Sequence, residues 1–516
     1  MSDLILNRKK FVPSVQQAGF FTWIKEDTGS CVLEAVAGAG KTTTLIKALE
    51  MMFGTVFFGA YNKKIADEIK AKAPGKDGLV ISTMHAAGLA AWKNVCRFPN
   101  VDGDKVRNIF KAAIERNMQY APFLQPVQQL VSLAKQAGLG IEGFPALNSM
   151  SAWMALVEHF DIETFDENTQ VDNTELIIKL ARKTLEASIA QNMKTIDFDD
   201  MIYAPLYHGC TIQKFDWVLV DEAQDTNATR RELALRMLKD GGRLVAVGDR
   251  HQAIYGFTGA DSKALDMIGD ATNAKRLPLT TTFRCPKSVV KFAQQWVNHI
   301  QAADTAPEGL VRHSNIDALM TEARIGDAVL CRFNAPLVEN VYKFIAAGIP
   351  AKIEGREIGA GLVKLARRWK VKSLTALTER VDAYAEREIK KLTEKDQLAK
   401  IGAVEDKVGC LKVIIARVEA KDPTTTKPVD LVVAEIESIF SDNNDNSKVV
   451  LLSSVHKSKG REWQRVVWLQ TPPNKRARLP WMVEQENNLC YVAATRSMNE
   501  LVLIEVASKP LIRKEG

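Results

Sequence analysis

A glycine-flanked lysine and a pair of adjacent acids carry the most specific chemistry in this chain. The stretch "AVAGAGKTTT" (35–44) sets Gly38 and Gly40 ahead of Lys41 and Thr42, after an apolar run and before a helical pattern. Glycines there let backbone N–H groups turn inward around a polyphosphate. The lysine supplies a point charge for its β/γ end, and the threonine hydroxyl can join a Mg²⁺ shell. Ala37, Gly38, Ala39 and Gly40 would form the cradle, with Thr43 beside it; Ala35 stands where the strict pattern has glycine. A second run, "VLVDEAQD" (218–225), delivers Asp221 and Glu222 to the end of an apolar strand. Asp221 suits the water shell of Mg²⁺, and Glu222 suits accepting a proton from an attacking water. Alone, the first motif could be a glycine-rich turn and the second a solvated acidic turn. Together they read as nucleoside triphosphate hydrolysis, with ATP and Mg²⁺ expected, and they leave open what the hydrolysis drives.

The elements that must position these residues are legible as alternating apolar runs and helical patterns. Runs near 30–38, 215–225 and 241–249 each end in Gly or Asp, with a helical pattern following. That alternation predicts an open parallel α/β sheet with ligands at the carboxyl ends of its strands. A helix-rich stretch over roughly 92–195, including "TELIIKLARKTLEASIA", reads as an insertion. A second α/β unit begins near 286, with "GDAVLCRFNAPLVENVYKFIAAGIPAKIEG" as strand, helix and strand. A charged helical segment near 363–420 interrupts it. Two polar links, "KDPTTTKPVD" and "SDNNDNSK", then lead to "KVVLLSSVHKSKG", read as the last strand. The expected class is α/β with two parallel-sheet cores, each carrying a helical insertion. The first core takes 1–91 and 196–285, with insertion 92–195. The second takes 286–362 and 447–516, with insertion 363–446.

Composition narrows the classes. A chain of 516 residues exceeds one ordinary core, and its 46% hydrophobic and 25% charged content is that of a globular protein. A formal net charge of +7 is compatible with a polyanionic partner but does not identify one. Seven cysteines lie far apart without a CxxC pair, which argues against zinc, iron–sulfur and disulfide frameworks. The start of the chain has no signal-peptide pattern, and no uncharged apolar run approaches the ~18 residues of a membrane span. A cytoplasmic protein with no membrane association is expected.

Nine ordered motifs resemble those of superfamily 1 helicases of the UvrD/Rep type. "PSVQQAGF" is similar to the adenine-reading glutamine motif, with Gln16 the better match and Gln17 the alternative. "AYNKKIADEI" resembles motif Ia, "STMHAAG" motif Ib, and "IDFDDMI" the segment before the acidic strand. "DEAQD" resembles motif II, "VGDRHQAIYGFTGA" motif III and "LTTTFRCP" motif IV. "SSVHKSKGREW" resembles motif V and "NNLCYVAATRS" motif VI. "QAIYGF" with "YVAATR" is similar to a compact branch that includes F-box-type DNA helicases and phage relatives.

The resemblance implies two RecA-like P-loop cores and a set of roles. Gln252 would sense the γ-phosphate or its water. Arg284 and Arg496 would act as arginine fingers, each a group worth ~10³–10⁵ in phosphoryl-transfer rate. Phe283 would stack on adenine, Glu462 would bond the ribose, and Gly460 would let backbone N–H approach the phosphates. Tyr61, Asn62, His85, Tyr255, Phe257 and His456 would form the single-strand track, on which base–aromatic stacking is worth ~1–3 kcal/mol and tolerates any sequence. The basic run "NKRAR" (474–478) could meet phosphates or be a solvated loop. Three positions depart from the family pattern: Thr43 and Thr258 stand where arginine is usual, and Tyr61 is shifted by one position.

The expected function is a 3′→5′ ATP-dependent DNA helicase or translocase in replication, recombination or repair. Its partners would be single-stranded and tailed duplex DNA, with RNA left open. Because only a short stretch follows Arg496, translocation is expected more firmly than strand separation. Rival readings are a translocase that strips bound proteins, a P-loop kinase, and a nucleotide-switched binding module.

Overall fold

In the computed structural model the described residues are 11–506, less 116, 161, 163, 167–170, 255–262, 348, 395–397, 441–448 and 473–479. They form two compact units. Among the described residues the first draws on 11–162, 175–250 and 263–282, and the second on 164–174, 251–254 and 283–506.

The first unit is built on a six-stranded sheet. Its strands in chain order are β1 (Cys31–Ala35), β2 (Val56–Ala60), β3 (Leu79–Thr83), β4 (Phe215–Val220), β5 (Leu238–Gly248) and β6 (Lys275–Leu279). They lie in the order β6-β1-β5-β4-β2-β3, every pairing parallel. Such a sheet is covered on both faces, so its central strands are rich in apolar residues. β2 is buried at every position, and β4 at all but one. Chain order reverses beside β1, between β6 and β5, and open α/β sheets bind ligands at the carboxyl ends near such a reversal.

The segment between β3 and β4 is mainly helical. It includes helices Lys105–Ile114, Leu124–Gln136, Met150–His159 and Thr174–Ala190. Phe110, Trp153 and Leu185 from these helices share one hydrophobic cluster with Val218 and Leu244 of the sheet. The inserted helices therefore extend the sheet's core. A close helix crossing ties them to the motif-bearing segments. A Cβ on Gly88, in helix Met84–Lys93, would come within 2.3 Å of the Met201 carbonyl in helix Asp200–Tyr207. Only glycine allows that approach.

The same helices are pinned by charge. Lys135 Nζ lies 2.6 Å from Asp197 and 2.7 Å from Asp200, while Lys105 Nζ lies 2.6 Å from both Asp200 and Asn192. Both lysines are buried, so the ammonium groups persist there only because carboxylates meet them.

The second unit has its own six-stranded parallel sheet. Its strands are β7 (Leu310–His313), β8 (Ala328–Cys331), β9 (Ala351–Ile353), β10 (Val450–Ser454), β11 (Trp463–Gln470) and β12 (Ser497–Glu505). Their order is β7-β12-β11-β8-β10-β9. Helices Leu374–Glu394, Leu398–Lys421 and Pro428–Ile439 lie between β9 and β10. Leu377, Leu411 and Val433 from them join Val329, Val467 and Val502 in one core. The run "KVVLLSSVHKSKG" supplies β10 but not the last strand: β11 and β12 follow it. Both are buried along their carboxyl halves and carry charged or polar residues at their starts. Among the described residues, no helix is long and apolar enough to cross a membrane.

Candidate active site

The phosphate loop forms where β1 turns into helix Lys41–Ala48. Gly38 (φ 72°) and Gly40 (φ 75°) occupy the left-handed region, which costs a side-chain-bearing residue about 1 kcal/mol or more. Gly40 is the helix N-cap, and Thr44 hydroxyl bonds back to its carbonyl at 2.9 Å. Ala37 and Ala39 are buried beneath the loop, whereas Thr43 is exposed.

β4 ends against this loop. Thr42 Oγ1 donates to Asp221 Oδ2 at 3.4 Å, and Lys41 Nζ lies 3.0 Å from Glu222 Oε1. Burial pushes the Asp221 carboxyl up to about 6, and the adjacent Glu222 charge adds to the shift; Lys41, the Glu222 backbone N–H and Thr42 oppose it. Burial also works against the Lys41 charge, but Glu222, Asp249 and Asp221 together hold the ammonium above its ordinary value. The buried Asp221 carboxyl and the half-buried Glu222 beside the Thr42 hydroxyl gather oxygens at the end of the phosphate loop. That suits a hydrated Mg²⁺, which needs only one or two protein oxygens besides phosphate and water. The described residues contain no cluster of three or more His, Cys, Asp or Glu positioned to hold a metal.

Glu222 itself adopts φ 51°, ψ 42°. For a non-glycine residue this costs on the order of 1–3 kcal/mol and persists only where surroundings impose it. Gln224, buried at 1% exposure, is one such surrounding. Its amide nitrogen donates to Glu222 Oε2 at 2.6 Å, and its oxygen accepts from the Asp249 backbone N–H at 3.1 Å. Gln224 therefore ties the end of β4 to the residue after β5. It lies inside "DEAQD", yet its type alone did not separate it from a packing residue.

The glutamine pair resolves into two jobs. Gln17 is buried, closes a capping box with Ser14, and donates to Thr44 Oγ1 at 2.9 Å. Gln16 is half-buried and meets Thr280 twice, accepting from its N–H at 2.7 Å and donating to its hydroxyl at 2.8 Å. Of the two, Gln16 is the one outside the core.

A recess beside the acids is lined by Tyr61, His85, Arg230, Asp225, Asp221 and Glu222, among others. Tyr61 is 43% exposed, and Asn62 caps helix Lys63–Lys72 by accepting from the Ile65 N–H at 2.9 Å. Burial, with Arg230 adding to it, pulls His85 down to about 4, so its imidazole is neutral. Phe198, in "IDFDDMI", is 61% exposed, an open aromatic face that sequence reasoning did not single out.

In the second unit Arg496 is 1% exposed. It donates to the carbonyls of Val492 (2.9 Å) and Arg461 (3.3 Å), to Thr495 Oγ1 (3.2 Å) and to Gln252 Oε1 (3.4 Å). Lys459 Nζ donates to the Gln252 carbonyl at 2.6 Å. Arg284 pairs with Glu462, and Phe283 is 53% exposed. Gly460 has φ 81°, with open space where a Cβ would stand. His456 is buried enough to fall to about 3, with Arg332 and Lys459 reinforcing the effect. Tyr255, Phe257, Thr258 and the run 474–478 lie outside the described residues.

Two family models match the chain. The UvrD/REP helicase N-terminal domain covers residues 21–271, and the UvrD-like helicase C-terminal domain covers 167–508. Among curated proteins, F-box DNA helicase protein 1 of Schizosaccharomyces pombe is 22% identical over 92% of this chain and 56% of its own length. ATP-dependent DNA helicase PcrA of Staphylococcus epidermidis is 23% identical over 56% of this chain and 40% of its own. ATP-dependent DNA helicase Rep of Buchnera aphidicola subsp. Schizaphis graminum is 26% identical over 52% and 42%. The chain thus spans about half the length of the curated relatives it matches.

Proposed function

We propose, because the chain belongs to the UvrD-like helicase family, that it hydrolyses ATP to move along single-stranded DNA in the 3′→5′ direction and to separate strands. The observation that carries this reading is the contact of Lys41 with Glu222 and of Thr42 with the buried Asp221 at the ends of β1 and β4. Analogy with that family supports the coupling to strand movement and the direction.

With nucleotide bound, the loop 37–40 presents backbone N–H groups to the phosphates, and Lys41 exchanges its Glu222 partner for phosphate oxygen. Thr42 and Asp221 are the proposed holders of Mg²⁺, which offsets negative charge on the phosphates when bound. Glu222, released from Lys41 but still bonded by Gln224, accepts the proton of the attacking water. Arg284 and Arg496 are the proposed arginine fingers, stabilising charge on the transferring phosphoryl group, and Gln252 orients near it through Arg496. Gln16 is the proposed adenine reader, Phe283 the stacking ring, and Glu462 and Gly460 the ribose and phosphate contacts. Thr43, exposed beside the loop, is the remaining proposed nucleotide contact. For the strand, Tyr61, Asn62, His85 and His456 are proposed contacts, with Tyr255 and Phe257 assigned on sequence alone.

Strand displacement and ATP turnover measured on duplexes with a 3′ tail, a 5′ tail or no tail test this reading. Displacement requiring a 3′ tail is expected. Displacement only from a 5′ tail overturns the direction. Turnover stimulated by single strands without displacement leaves a translocase, and unstimulated transfer of phosphate to a small acceptor replaces the reading with a kinase.

A further inference from the structure

Glu354, which follows β9, meets both ends of the segment 453–461. At one end Ser453 Oγ donates to Glu354 Oε2 at 3.0 Å. At the other, the Arg461 guanidinium pairs with Glu354 Oε1. The Glu354 backbone is fixed as well, its N–H donating to the Leu452 carbonyl at 2.8 Å in continuation of the β9–β10 pairing. The Glu354 side chain is 18% exposed, so its charge is mostly withdrawn from water and depends on these partners. Lys457 is near too: a side chain at Gly355 would begin 3.1 Å from its Nζ.

What lies between the two anchors gives the contact its meaning. The segment holds one helical turn, Val455–Ser458, with His456 inside it, then Lys459 and Gly460. The Arg461 N–H donates to the Ser458 carbonyl at 3.0 Å, closing the turn. Lys459 bonds the Gln252 carbonyl, and the Arg461 carbonyl accepts from Arg496 at 3.3 Å. One carboxylate therefore clamps a segment whose side chain His456 is a proposed strand contact and whose backbone touches a proposed arginine finger.

We propose that Glu354 is a positioning residue that makes segment 453–461 move as one body, so that strand engagement at His456 is transmitted through Arg461 to Arg496 and Gln252. This rests on the helicase reading above. It adds a coupling element that touches neither nucleotide nor strand. Ser453 is held by β10 as well as by Glu354, so loss of the Arg461 pair leaves the segment attached at the Ser453 end but free to rotate.

The test compares ATP turnover with and without oligodeoxythymidylate for wild type, Glu354→Gln, Arg461→Gln, the double variant, and the charge reversal Glu354→Arg with Arg461→Glu. Glu354→Gln keeps an acceptor for Ser453 and loses only the ion pair. Each single change is expected to cut the stimulation ratio about 2–150-fold, the range of coupling between contacting residues. The double variant should be no worse than either single one, and the reversal should regain part of the ratio. The proposal is overturned if Glu354→Gln keeps the wild-type ratio, or if the two single losses multiply. It is equally overturned if turnover with and without strand falls by the same factor together with the melting temperature. Wild type showing no stimulation at all would instead remove the helicase reading itself.

Discussion

Gln224 holds Glu222 from the side opposite Lys41: its amide nitrogen lies 2.6 Å from Oε2, while Lys41 Nζ lies 3.0 Å from Oε1. Both oxygens of the proposed general base are thus engaged, and of the two partners Lys41 is the one proposed to meet phosphate. Replacing Glu222 by Gln removes the base and also frees Lys41. Turnover should fall about 10²–10⁴-fold, the usual contribution of a positioned base, while Mg-ATP binds no more weakly than in wild type. Gln224→Ala should lower kcat about tenfold or more with a smaller change in KM, since it loosens the base but leaves the phosphate cradle. Equilibrium binding alongside steady-state kinetics separates these effects. A Glu222→Gln protein with tenfold weaker binding would show that the carboxylate serves binding rather than proton transfer.

The buried ion cluster makes a stability prediction. Lys135 faces Asp197 and Asp200 with no exposed surface of its own. Lys135→Met leaves Asp197 without its lysine and Asp200 with Lys105 alone, and should cost about 3–5 kcal/mol in urea unfolding of the whole chain. An exposed pair such as Lys47–Glu50 should cost less than about 1 kcal/mol when broken the same way. Equal effects at the two sites would mean the cluster is solvated in solution.

His85 and His456 predict acid sensitivity. Burial first, and neighbouring cations second, depress them from 6.5 to about 4 and about 3. Between 6.5 and those values the unfolded chain binds protons that the folded chain does not, so stability falls as pH drops through that window. Above about 6.5 the two groups contribute no slope. His456→Asn should flatten the loss of stability in acid, measured by urea midpoints across pH. An unchanged slope in that variant would place the imidazole in water.

Much of this architecture was legible because backbone demands leave few residue choices. Gly38 and Gly40 must take left-handed φ, and β4 must be apolar to deliver Asp221 and Glu222 into a buried sheet edge. The parallel-sheet cores followed from the same runs. Other parts were hidden for physical reasons. β11 opens as Trp463, Gln464 and Arg465 and β12 as Ser497, Met498, Asn499 and Glu500, mixed starts that interrupt the apolar pattern, so the run at 448–460 reads as the last strand. Gln16 and Gln17 are adjacent and identical in type; only capping and burial of Gln17 distinguish them. Glu354 lies 99 residues from Ser453 and meets it only because β9 pairs with β10. No local pattern announces such a contact.

The central claim is that ATP hydrolysis at Lys41, Asp221 and Glu222 answers to single-stranded DNA. Turnover of the purified chain, measured with and without saturating oligodeoxythymidylate, tests it most directly. The account predicts turnover that rises by at least about tenfold with strand, as expected where binding energy completes a catalytic site, and that is lost in Glu222→Gln. Equal turnover with and without strand, abolished by the same substitution, would leave an ATPase but contradict the coupling.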